Sequence, residues 1–88
     1  MLKIPPLLAA CAEGRREVVL HALTVPEAIT DLRKQYPRLY EALFDQYGAL
    51  YGFANLYLNQ TMISARVFEA IPLATDDVLE VIVSISGG

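Results

Sequence analysis

One histidine and one cysteine are all that this chain offers for metal or thiol chemistry. His21 alone cannot build a His-rich metal site, and its place in an alternating segment reads as a plain surface histidine. Cys11 alone excludes an internal disulfide and fits a reducing compartment, the cytoplasm. With no histidine near it in sequence, it reads as a packed or loop thiol. Apolar runs are short, none approaching the roughly 18 residues of a membrane span. The 7 Lys and Arg are scattered among 10 Asp and Glu, for a net charge of −3. Without a basic stripe, nucleic acid is not an expected partner. No phosphate-cradling loop is present, because Gly48 and Gly52 have no Lys-Ser/Thr behind them. Leu8-Ala9-Ala10-Cys11 has the look of a lipoprotein cleavage box. The apolar stretch before it, Ile4 to Ala10, is broken by Pro5 and Pro6 and sits at the lower limit of the roughly 7–15 residues a signal region needs. Neither lipidation nor a membrane is expected.

What is present is enough apolar content, 55% of 88 residues, for one folded domain with one core. Met1 to Ile4 can form a short strand that Pro5 and Pro6 end. Leu7 to Gly14 reads as a turn region with Leu7 and Leu8 tucked inward. Glu17 to Ala22 alternates, with Val18, Leu20 and Ala22 on one face, and predicts a half-buried strand paired with the first. Thr24-x-x-Glu27 is a capping box, and Pro26 falls in the first turn, where its missing N–H does no harm. Val25, Ile29, Leu32 and Tyr36 then give one helical stripe that Pro37 closes. A short second helix is predicted from Arg38 to Asp45, with Leu39/Leu43 and Tyr40/Phe44 as i,i+4 pairs.

Phe53 to Leu58 alternates again, Ala54, Leu56 and Leu58 against Phe53, Asn55 and Tyr57. Asn59-Gln60 is a turn, and a short strand is expected around Met62-Ile63. Arg66 to Asp77 reads as mostly loop, with Asp76-Asp77 serving turn chemistry rather than acid–base work. The last strand, Val78 to Ile85, puts Leu79, Val81 and Val83 on one face. A leading hairpin, a central helix and later strands predict an α+β fold with the main helix packed across a mixed sheet. Parallel first and last strands, connected through the helix, make that a β-grasp (ubiquitin-like) domain. Residues 1–83 are assigned to it and residues 84–88 to a flexible tail.

With no internal catalytic set, attention falls on the carboxyl terminus and the open face of the sheet. Ser84, Ile85, Ser86, Gly87 and Gly88 form a narrow arm, and glycine without Cβ lets a reactant approach the terminal carbonyl. Ordering each residue of such an arm costs about 1–2 kcal/mol, which glycine contacts hardly offset. The folded body must therefore bind the same partner. Val19, Phe53, Tyr57 and Ile82 fall on the strand faces away from the helix and are the candidate docking patch.

FANLYLN (Phe53 to Asn59), Leu73-x-x-x-Asp77-x-Leu79 and the terminal Gly87-Gly88 together resemble the ThiS/MoaD family of ubiquitin-like sulfur carriers. IPPLL (Ile4 to Leu8), Tyr36-Pro37 and Leu43-Phe44-Asp45 are similar to its CysO-like branch. The chain departs from the pattern in its short first strand, its glycine-poor segment Ala65 to Ala74, its Thr75-Asp76-Asp77 turn, and Ser84 where proline is usual. The resemblance implies a carrier rather than an enzyme, with no bound cofactor. It implies that Gly88 is adenylated by a ubiquitin-activating-type adenylyltransferase/sulfurtransferase that uses ATP, then converted to a thiocarboxylate. Gly87 matches the family position, and Ser84, Ile85 and Ser86 correspond to the arm inside the partner's channel. A downstream sulfur-accepting synthase follows as second partner, in cysteine, molybdopterin, thiamine or sulfur-metabolite synthesis. Two alternatives stay open: a protein modifier joined through Gly88 to lysines, and a β-grasp interaction domain with an inert tail.

Overall fold

Two periodicities, two for strands and three to four for helices, sort the apolar residues onto a single core. In a computed structural model, which describes residues 1–84, five strands form one mixed sheet. They are β1 (Leu2–Lys3), β2 (Glu17–Val18), β3 (Ala54–Leu58), β4 (Thr61–Met62) and β5 (Leu79–Val83), in the spatial order β2-β1-β5-β3-β4. β1 and β5 are parallel neighbours, and the other pairings are antiparallel. This is the β-grasp arrangement, with helices α1 (Val25–Gln35) and α2 (Pro37–Leu43) supplying the other half of the core. Ile85, Ser86, Gly87 and Gly88 lie outside the described residues.

The core is where the alternation places it. Leu2, Val18, Ala54, Leu56, Leu79 and Val81 are buried from the sheet. Val25, Ala28, Leu32, Leu39 and Leu43 are buried from the helices. Leu39 and Leu43 each contribute about 1.5–3 kcal/mol of burial free energy. Tyr40 stacks on Phe44 with ring centroids 4.9 Å apart. Tyr36 ends α1 and Pro37 begins α2, so the two helices meet without a loop.

Helix α1 starts where expected, but only half of the capping box forms. Thr24 Oγ1 accepts the Glu27 N–H at 3.3 Å. The Glu27 carboxylate accepts the Thr24 hydroxyl at 3.2 Å rather than its backbone N–H. Asn59 and Gln60, at φ 47° and 74°, make a two-residue hairpin turn of the left-handed kind. That turn pairs Leu58 with Thr61, so β4 is Thr61–Met62, one residue earlier than read from sequence, and Ile63 goes into the core.

Two other expectations are corrected. Leu7 is 64% exposed, because Pro6–Ala12 winds as a 3₁₀ helix. Three residues per turn put Leu8 and Cys11 on the core side and turn Leu7 away. Arg66 to Asp77 is mostly loop, as read, entered from a 3₁₀ turn at Ser64–Arg66 and bridged to Thr24 at Pro72. Strand β2 pairs over Glu17–Val18 only, although the alternation runs on to Ala22. The register Leu2↔Val18 and Lys3↔Glu17 uses both residues of β1, so Val19 to Ala22 lie outside its ladder.

Candidate functional site

Strand β5 leads into the arm and is held from both sides. Five residue pairs join it to β3, from Leu58↔Leu79 to Ala54↔Val83, and Leu2↔Leu79 and Lys3↔Glu80 join it to β1. The Ser84 N–H donates to the Phe53 carbonyl at 2.8 Å, which fixes the root of the arm on β3.

The start of β5 is clasped by side chains. Asp77 Oδ2 accepts the Ala74 N–H at 2.7 Å, and Oδ1 accepts the Asn59 amide at 2.8 Å. Asn59 Oδ1 in turn accepts the Val78 N–H at 2.9 Å. The backbone N–H of Asn59 donates to the Val78 carbonyl at 2.9 Å. The Ala74 N–H, and after it the Asn59 amide, hold the Asp77 carboxyl below its usual range. Asp77 is thus a structural turn residue, and Asn59 closes the other side of the clasp.

The open face carries charge across its middle. One cross-strand row reads Met62, Tyr57, Glu80, Lys3, Glu17 from β4 to β2. Ile82 stands opposite Asn55 one step further along, and Phe53 sits beside the root of the arm. Phe53 and Ile82 are 42% and 43% exposed, and Tyr57 is half-buried. Phe53 and Ile82 lie near the exit of β5, and Tyr57 stands beside Glu80 toward its start, on the same face as Ile82. Val19, 64% exposed, lies at the far β2 edge, separated from Tyr57 by Glu80 and Lys3. Two residues missed from the sequence adjoin the group. Met62 faces Tyr57, as the two-residue turn at Asn59-Gln60 dictates, and Tyr51 stacks on Phe53 at 5.5 Å. The first was recoverable from turn length. The second depends on a loop whose course has no sequence signature.

His21 is exposed, and its backbone N–H donates to Asp31 Oδ2 at 2.8 Å. That bond is the main reason the Asp31 carboxyl lies below its usual range. Cys11 is half-buried against the core. Among the described residues no three His, Cys, Asp or Glu side chains cluster to hold a metal, and no helix is long and apolar enough to cross a membrane.

A β-grasp sheet whose middle strand runs on toward a sequence ending in Gly87-Gly88 defines the class of small ubiquitin-like proteins. The chain belongs to the ThiS family, whose model matches residues 3–88. Among solved structures, Mycobacterium tuberculosis CysO superposes with a TM-score of 0.80 at 26% identity, covering 96% of this chain and 97% of that one. SAMP1 from Haloferax volcanii gives 0.73 at 29% identity, over 99% and 96%. The Amycolatopsis orientalis BexX/CysO complex gives 0.81 at 23% identity, over 99% and 97%, a likeness of fold. No curated protein sequence matches the chain significantly. Family and neighbours alike are small ubiquitin-like carriers and modifiers.

Proposed function

We propose that the protein is a sulfur carrier whose reactive group is the Gly88 carboxylate. The observation that carries this reading is the family match running through residue 88, in a chain whose last described residue, Ser84, is held by β3 at the end of strand β5. In the proposed cycle an activating enzyme of the ubiquitin-activating type joins the Gly88 carboxylate to AMP and releases pyrophosphate from ATP. A persulfide sulfur then attacks the terminal carbonyl and AMP leaves. A thiol takes up the donor sulfur as a disulfide, leaving the Gly88 thiocarboxylate. A biosynthetic enzyme accepts that sulfur, and the glycine carboxylate is regenerated.

The folded body serves as the handle. Phe53 and Ile82, near the end of β5, and Tyr57 further along the same face form the proposed docking surface, with Tyr51 stacked on Phe53 and Met62 opposite Tyr57. Val19 is too far across the charged row to share one small contact with them.

A second reading is favoured by one observation. Neighbours of comparable similarity include small archaeal modifier protein 1, from Methanosarcina acetivorans and from H. volcanii. As a modifier, the same activated Gly88 would acylate a lysine amine instead of taking sulfur. Intact-mass measurement with a cognate activating enzyme, ATP and a sulfur donor separates the two. One oxygen-to-sulfur exchange is the expected result for a carrier, and ladders of conjugates mark a modifier. No change with any activating enzyme of this type would overturn both. Removal of Gly87-Gly88 is expected to abolish the exchange and leave the melting curve as it was.

A further inference from the structure

The parallel pairing of β1 with β5 stops before β5 does. Along β5 the backbone groups point by turns to one neighbour and the other. The Ser84 N–H donates to the Phe53 carbonyl and the Asn59 N–H to the Val78 carbonyl, so even-numbered residues bond toward β3. The Leu79 N–H donates to the Met1 carbonyl, so odd-numbered residues bond toward β1. β3 follows β5 as far as Val83, whereas β1 stays in register only through Lys3↔Glu80.

Pro5 accounts for the early end. The register carried forward places it opposite Ile82. A parallel neighbour at that position gives its N–H to the Val81 carbonyl and accepts the Val83 N–H on its own carbonyl. Proline has no N–H to give. Its carbonyl accepts the Leu8 N–H at 3.0 Å instead, where the Pro6–Ala12 3₁₀ helix begins. Among the described residues the Val83 N–H donates to no loop carbonyl, and no loop N–H reaches the Val81 carbonyl. The two strands therefore fork. A cleft of about 370 Å³ lies at the fork, with Pro5, Pro6, Ile82 and Val83 among its walls.

We propose that this fork takes an extended segment of the enzyme that activates Gly88, laid parallel to β5 with one apolar residue opposite Ile82. That residue donates its N–H to the Val81 carbonyl and accepts the Val83 N–H. Its side chain stands beside Ile82 on the open face, as Lys3 stands beside Glu80. The open pair, a carbonyl and the N–H two residues on, is what one residue of a parallel strand satisfies. Ile82 is both a wall of the cleft and a member of the docking surface, and Ser84, the root of the arm, follows Val83 directly. An enzyme that covers Ile82 and draws in the arm passes over the fork. Phe53, Tyr57 and Ile82 alone fall short of the roughly 800 Å² per partner that a stable complex buries. Strand addition supplies further affinity through main-chain bonds. The inference rests on the sulfur-carrier reading for the identity of this partner.

The test is amide hydrogen exchange on the chain alone and in complex with its activating enzyme and ATP. In the free chain the Val83 amide is expected to exchange fast, and the Ile82 amide, bonded toward β3, slowly. In the complex Val83 is expected to slow by about tenfold or more, the scale of one hydrogen bond. Val83→Pro deletes that one donor at a position where no ladder bond is lost. It is expected to keep the parent's melting temperature within a few degrees and to bind the enzyme about tenfold more weakly. A complex in which Val83 exchanges as fast as before overturns the fork as a docking site and leaves the carrier reading standing. A Val83 amide already slow in the free chain does the same, as does a Val83→Pro variant that unfolds or binds with parental affinity. Failure of every activating enzyme of this type to bind the chain overturns both.

Discussion

Val81 and Ile82 are neighbours on β5, share its ladder, and differ in which face they occupy. Val81 is 4% exposed against the helices, while Ile82 is on the open face opposite Asn55. Val81→Ala deletes two buried methyl groups, worth about 0.8 kcal/mol each in transfer free energy. The space left among Leu2, Leu56 and Leu79 adds a cavity term, for a total of about 2–3 kcal/mol. In a domain of this size that lowers the melting temperature by roughly 10–20 °C. Ile82→Asp removes apolar surface that is already half in water, and its charge faces solvent. It is expected to leave the urea midpoint within about 1 kcal/mol of the parent and to weaken capture of the activating enzyme. Urea unfolding followed by circular dichroism, with titration calorimetry against that enzyme, reads both effects. The face assignment fails if Ile82→Asp destabilises as much as Val81→Ala, or if Val81→Ala costs under about 1 kcal/mol. The docking assignment fails if Ile82→Asp and Tyr57→Asp both bind with unchanged affinity.

Gln60 holds a left-handed backbone, φ 74°, at the second turn position, where glycine fits without strain. Gln60→Gly is expected to stabilise the fold by about 0.5–1 kcal/mol, seen as a higher urea midpoint with an unchanged slope. Thr24→Ala removes the acceptor for the Glu27 N–H at the start of α1 and is expected to cost about 1 kcal/mol in the same assay. Asp31 and Asp77 have folded-state pKa values below the unfolded carboxylate range. Their contribution is therefore complete above that range and disappears as pH falls through the lowered values. Unfolding midpoints should drop with acid below about pH 4, and Asp77→Asn should flatten that drop; an identical acid profile in the variant would refute the clasp.

Much of the fold was legible because its determinants are local. The alternation in Phe53 to Leu58 and Val78 to Val83 reports which side chains are buried, since a strand turns every second residue the same way. Thr24, Pro26 and Pro37 punctuate α1 through their own backbone chemistry. The terminal Gly87-Gly88 was visible as composition, and the family match runs through it.

Other features were decided only when the chain closed on itself. Leu20 and Ala22 alternate as well as Val18 does, yet they lie outside the ladder, which pairs only Glu17 and Val18 with the two residues of β1. Val19 and Ile82 both point to the open face. Their separation is set by sheet order, which places Lys3 and Glu80 between β2 and β3. Asn59 and Asp77, 18 residues apart, meet because β3 and β5 are neighbours. Period and capping act over one or two turns of chain, so the sequence alone determined the elements, their buried faces and the Gly-Gly ending. Which strands adjoin, where a ladder runs out and what stands beside the root of the arm are long-range pairings, and those the tertiary structure decided.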